Sequence, residues 1–293
     1  MSVAKTRAHS PALGISFMLA ATVFYSLSDA LGKWLVADYP ILQVAWLRNV
    51  VGLILLTAVA VIGGRIMQLR TQRLGWHFLR SMISLTVTVC MFYGLKHITL
   101  AEFVAIIFAT PFFVALLSPW LLGEQVPAGT WMAIAVGFAG ILLVARPLPG
   151  HFHLAHLVTL FVAVMLSFLY IIARTLSTTE TALALNFHIY PLSILLLAFP
   201  VTNHWVAPDT QAWILFALLG TCATLALWCI LQAMRYAPPA LVAPIDYARL
   251  IWITLLGYFI WGELPDGITV CGIVLIVASG IYVLRQGRTS DGK

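Results

Sequence analysis

Apolar residues run along this chain in ten long stretches separated by short polar breaks. They read as roughly Ala12–Leu35, Pro40–Gly63, Trp76–Leu95, Thr99–Leu122, Ala128–Ala145, Leu154–Ala173, Ala182–Val201, Gln211–Ala233, Ala240–Trp261 and Gly267–Leu284. Each holds about 18–25 residues, enough to cross the hydrocarbon core of a bilayer as a helix. Helices are required, because isolated strands would leave backbone groups unpaired in lipid. The first run is too long, and too closely followed by others, to read as a cleaved signal. The connections are too short for a soluble domain.

The second half repeats the first. Setting Tyr93–Pro147 against Gln232–Gln286, an offset of 139 residues, gives 12 identities in 55 positions. Gly123-Glu124 falls on Gly262-Glu263, Thr130 on Thr269, Lys96 on Arg235 and Arg146 on Arg285. Five spans per half is an odd number, so the second half enters the membrane in the opposite sense. The expected fold is an all-α membrane protein of ten transmembrane helices in two inverted five-helix repeats, residues 1–147 and 148–293. Such repeats place a substrate site near the bilayer midplane.

Composition agrees: the chain is 62% hydrophobic and 9% charged, with a mean hydropathy of +1.00. The Lys and Arg positions set the orientation. With a cytoplasmic N-terminus, Lys5, Arg7, Arg65, Arg70, Arg73, Arg80, Arg174, Arg235, Arg285, Arg288 and Lys293 fall inside, and only Lys33, Lys96 and Arg146 outside. Arg48 and Arg249 lie within spans. This bias predicts that both termini are cytoplasmic. It also explains the net charge of +6, so nothing argues for nucleic-acid binding. Cys90, Cys222, Cys229 and Cys271 sit inside apolar runs without metal-ligand spacing and read as packing residues, with no metal or cofactor expected. No GxxxxGK[ST], HExxH or GxSxG motif occurs, so transport would draw on a gradient and not on ATP hydrolysis.

Candidate chemistry lies within the spans. In span three, Ser81, Ser84, Thr88 and Phe92 share one helix face, and in span eight so do Thr221, Thr224, Trp228 and Gln232. Both stripes could line a common cavity, or their hydroxyls could bond back to the helix or to neighbouring helices. Pro111 and Pro244 interrupt spans four and nine, as substrate-site kinks or as packing devices. An intramembrane charge costs about 2.5–3.5 kcal/mol at a span centre, so these residues should face protein or water. Asp246 and Arg249, three residues apart, can neutralise one another on one face. Asp29 has Lys33 one turn later, and Tyr170 is its counterpart in span six. Arg48 has no acidic partner on its own helix and, like Asp29, reads as structural or gating. His188 is a proton relay or a packing residue. Tyr25, Phe92, Phe108, Tyr170, Tyr190, Trp228, Tyr247 and Trp252 lie deep, while Trp76, Trp120, Trp205, Trp213 and Trp261 fit the interfacial belt. Many aromatics with few fixed charges favour a neutral or zwitterionic small molecule over a phosphate ester, which would need clustered Lys and Arg.

Two five-span halves, Gly-Glu after the fourth and ninth spans, and Arg48 in Trp46-Leu47-Arg48-Asn49 resemble the drug/metabolite transporter superfamily, EamA type, most closely its bacterial exporters of aromatic and other neutral amino acids. The resemblance implies a bacterial inner-membrane exporter with a central cavity lined by spans one to four and six to nine, with five and ten as outer supports. Candidate cavity residues are Tyr25, Ser84, Thr88, Phe92, Tyr170, Thr224, Trp228, Asp246, Tyr247 and Arg249. An importer or exchanger of a larger metabolite such as S-adenosylmethionine remains open. An intramembrane enzyme lacks any nucleophile–base pair.

Overall fold

The computed structural model describes residues 10–121, 123, 128–146, 153–177, 179–237 and 239–290. Glu124, Lys5, Arg7 and Lys293 therefore lie outside the described residues. Seven helices are long and apolar enough to cross a membrane: Pro11–Asp38, Ile41–Ile62, Leu74–His97, Leu100–Leu121, Leu154–Leu176, Ala182–Asn203 and Thr210–Tyr236. Two shorter apolar helices, Gly129–Ala145 and Gly267–Val283, supply spans five and ten. Span nine is segmented into Pro239–Val242, a 3-10 stretch Ala243–Ala248 and Arg249–Trp261. The protein is thus an all-helical bundle of ten spans in two repeats.

The packing obeys the exchange of halves. Span one lies along span eight, as span six lies along span three; span one also meets nine, as six meets four. Two with seven, and five with ten, are pairs that map onto themselves. The connections repeat as well. Gly123 and Gly262 both adopt left-handed backbone, φ 70° and 68°, the conformation glycine takes without strain at a helix end. The Gln43 side chain bonds both backbone groups of Val206 (2.7 and 3.0 Å), and Thr181 donates to the carbonyl of Gln68 (2.8 Å). Both links join residues 138 apart from their counterparts, at opposite ends of the bundle.

Three spans are broken, each where proline removes a backbone donor. Span four breaks at Phe108–Ala109, before Pro111, and the Thr110 hydroxyl donates to the Ile107 carbonyl that Pro111 cannot serve (2.6 Å). Pro244 lies in the 3-10 stretch of span nine. Span seven breaks at His188, before Pro191. The continuous apolar run there predicts no such break, because hydropathy does not register a missing N–H.

The two ends of the bundle are tied differently. At the end away from the termini, Glu263 accepts from Lys33 of span one (2.6 Å) and from the Leu100 N–H that opens span four (3.1 Å), while Lys33 also donates to the Ile98 carbonyl (2.9 Å). Lys33 thereby leaves Asp29 to another partner. Nearby, Arg146 pairs with Asp266, which also caps span ten through the Thr269 N–H (3.0 Å). The guanidinium holds the Asp266 carboxyl well below the usual carboxylate range. The pair therefore survives acidification through the pH range where ordinary aspartates protonate, and is lost only as pH falls below it.

Spans five and ten approach backbone to backbone. A Cβ on Gly140 would stand 2.8 Å from the Gly272 carbonyl oxygen, and one on Gly272 would stand 2.7 Å from that of Gly140. Gly140→Val should lower the stability of the detergent-solubilised protein by about 1–3 kcal/mol, the usual cost of overpacking. Gly267→Val, where a Cβ meets nothing within 4 Å, should be near neutral. Equal melting temperatures for the two variants would refute the close seam.

Candidate functional site

The centre of the bundle is built on one face of span one. Thr22, Ser26 and Asp29 follow the i, i+4, i+7 spacing of a single helix stripe and meet span nine. The Trp252 indole donates to the Thr22 hydroxyl (3.2 Å), Ser26 donates to the Arg249 carbonyl (3.4 Å), and the Arg249 guanidinium pairs with the Asp29 carboxylate. The two charged side chains are only 11% and 4% exposed. The Tyr25 ring lies 5.1 Å from the guanidinium carbon, a cation–π distance.

Arg249 thus makes its ion-pair contact with Asp29, while Asp246, three residues earlier, stays within electrostatic reach of the same guanidinium. A carboxylate buried as deeply as Asp29 requires a cation, and with Lys33 drawn to Glu263 that cation comes from span nine. Asp246 is left without a hydrogen bond or ion pair among the described residues. Arg48 is in the same position: it makes no hydrogen bond or ion pair, and its buried Nε is unpartnered. Tyr25 lies within electrostatic reach of Arg48, Asp246, Arg249 and Tyr170. Tyr170 is 59% exposed although it interacts with Asp246 and Arg249 in the middle of the bundle.

Tyr190 of span seven closes another side of this ring. It rests on Gly52 of span two, where an added Cβ would lie 2.9 Å from the tyrosine Cζ, and Thr224 of span eight is in electrostatic reach of its hydroxyl. Arg48, one turn before Gly52, is in electrostatic reach of Tyr190. The polar stripe of span one and the glycine opposite Tyr190 are the signals that sequence reading passed over.

Other expected site residues sit elsewhere. Phe92 is fully buried against Gly32, and the Thr88 hydroxyl returns to the Ser84 carbonyl (2.9 Å). The span-three stripe is therefore helix packing at those positions; Ser84 is half-buried on the same face. Tyr247 packs at a tilt against Phe108 (4.8 Å between ring centroids) and fills the space that Gly280 leaves open. Trp228 meets Phe17 edge-to-face (5.5 Å) toward the terminus-bearing end and is 45% exposed. His188 sits at the break of span seven with its Nδ1 on the Ala184 carbonyl (2.9 Å). Pro111 and Pro244 break their spans without entering the ring. Among the described residues no group of His, Cys, Asp or Glu is placed to hold a metal.

The model of the EamA-like transporter family matches residues 12–146 and 153–285. The chain is 25% identical over 281 residues to the S-adenosylmethionine uptake transporter of Rickettsia bellii, covering 96% of each protein. It is 26% identical to the riboflavin transporter of Vibrio cholerae, over 94% of each, and 26% identical to the pseudopaline exporter of Pseudomonas aeruginosa, over 94% of this chain and 97% of that one. One solved crystal structure superposes with a TM-score of 0.67 at 20% identity, over 96% of this chain and 99% of the other, a likeness of fold.

If the Asp29–Arg249 pair holds spans one and nine together, Arg249→Leu should cost about 3–5 kcal/mol by stranding a buried carboxylate. Asp29→Leu combined with Arg249→Leu should recover most of that loss in thermal unfolding. Additive losses in the double variant would mean that the two residues act independently.

Proposed function

The chain belongs to the EamA-like transporter family and is a multi-pass membrane transporter, and from that premise we propose that it exports a small zwitterionic metabolite, an aromatic or neutral amino acid, by alternating access. One observation carries the reading. With Arg249 engaged by Asp29, Arg48 and Asp246 make no hydrogen bond or ion pair among the described residues, and both lie within electrostatic reach of Tyr25. A carboxylate would dock on Arg48 as a charge-assisted pair, an ammonium on Asp246, and the apolar body against the Tyr25 and Tyr170 rings. The halves 1–147 and 148–293 would rock about this ring, exposing it to each side in turn. The termini would be cytoplasmic and the membrane a bacterial inner one, as the Lys and Arg asymmetry favours.

A second reading, uptake or exchange of S-adenosylmethionine, is supported by the Rickettsia relative. It presents the same amino and carboxyl groups on a larger body, so it would use the same two charges. Purified protein in liposomes, assayed with labelled amino acids, S-adenosylmethionine and nucleosides, separates these substrates. Movement of nucleosides alone would overturn both readings.

Two outcomes follow. Arg48→Gln should insert and melt like the unaltered protein yet lose transport about ten- to hundredfold, the worth of a hydrogen bond to a charged group; unchanged transport would remove Arg48 from the site. An export-dependent reporter should be active in the connection near Asp209 and silent at Lys293, and the reverse pattern would invert the orientation.

A further inference from the structure

Two ion pairs join span one to the second half, and they stand in different surroundings. Asp29–Arg249 lies at the centre, its carboxylate side chain 4% exposed; Lys33–Glu263 lies at the end away from the termini, with the Glu263 side chain 23% exposed. Glu263 is the hub of that outer set. Its carboxylate accepts from Lys33 of span one (2.6 Å) and from the Leu100 N–H that opens span four (3.1 Å), so one residue of the second half holds two segments of the first. Its own backbone is fixed to span nine, because the Glu263 N–H donates to the Gly257 carbonyl (3.0 Å) across the left-handed turn at Gly262. Lys33 also lies over the Trp261 ring (5.5 Å), which meets the Trp34 ring of span one edge-on (6.2 Å).

Parting the two pairs has different consequences. Separating Asp29 from Arg249 strands two charges inside the bundle. Separating Lys33 from Glu263 exchanges their bonds for water at an end that is already partly exposed. On the reading that the halves rock about the centre, we propose that the Glu263 hub is a breakable latch. It shuts the central site from the end away from the termini, while Asp29–Arg249 stays closed as the pivot. The repeat does not supply the same latch at the other end. At the 139-residue offset that sets Gly123-Glu124 on Gly262-Glu263, Leu100 falls on Pro239, which has no N–H to give a carboxylate. There the halves are joined through other groups: the Thr71 hydroxyl donates to the Glu180 carboxylate (2.7 Å), and the His77 ring stands 3.7 Å from it. The two ends are thus held by unlike bonds, and weakening one set shifts the population toward the state open on that side. Under the proposed orientation the latch faces outward, and loosening it depletes the cytoplasm-facing state that loads an exporter.

Spin labels on cysteines at the exposed positions Ala37 and Leu264, in an otherwise cysteine-free protein in nanodiscs, read the latched end without any substrate. Failure here is therefore separable from failure of the proposed transport. A second label pair, at Gln72 and Thr179, reads the other end. Glu263→Gln and Lys33→Met should each raise the ratio of long to short distances at the first pair by about tenfold, the worth of a hydrogen bond to a charged group. The second pair should stay unchanged or shorten. If one variant does not fold, the other decides alone. Unchanged distances at the first pair would overturn the proposal, and so would lengthening at both pairs, the mark of a bundle loosened throughout.

Discussion

The ion pair between Asp29 and Arg249 is the interaction on which the centre of this protein depends. Two charges removed from water are tolerable only as partners, and removing either leaves the other uncompensated in a medium that cannot solvate it. Their pairing joins span one of the first half to span nine of the second. It aligns Thr22 and Ser26 with span nine, and sets Tyr25 over the guanidinium. It also decides which charges are left over. Because Arg249 faces span one, neither Asp246 nor Arg48 makes a hydrogen bond or ion-pair contact among the described residues.

Much of this was legible in sequence, for identifiable reasons. Span number, the repeat and the Gly-Glu turns follow from hydropathy and from residue identity at a fixed offset, and Gly123 and Gly262 carry the same left-handed turn. Partner choice was not legible. Asp246 and Arg249 are three residues apart, the spacing of a helical ion pair, yet the stronger demand came from a carboxylate 220 positions away. Spacing states which residues share a face; it does not state what lies across from them. Phe92 and Tyr247 show the same limit, since each faces a glycine, Gly32 and Gly280, that makes room for an aromatic ring in the packed layer. Span seven breaks at Pro191 for a reason of backbone hydrogen bonding that an apolar average conceals.

Inverted symmetry holds for backbone and packing but not for charge. The paired links Gln43 to Val206 and Thr181 to Gln68 are images of one another, whereas Glu180 with His77 and Thr71 has only leucines and an aspartate at the corresponding sites. A duplicated scaffold supplies two equivalent ends; the ionisable residues make them unequal.

The separation of Asp29 from Arg249 also bears on how the chain is made. Span one leaves the ribosome long before span nine exists: 220 residues at about 5–20 residues per second is roughly 10–40 s of synthesis. Throughout that interval the Asp29 carboxylate must enter the membrane without its cation, against an insertion cost of about 2.5–3.5 kcal/mol that the apolar remainder of Pro11–Asp38 has to outweigh. The first helix is thus held in the bilayer by its own hydrophobicity, or by the insertion machinery, until the ninth arrives. Nascent chains truncated before Arg249 are the forms of this protein most exposed to membrane quality control.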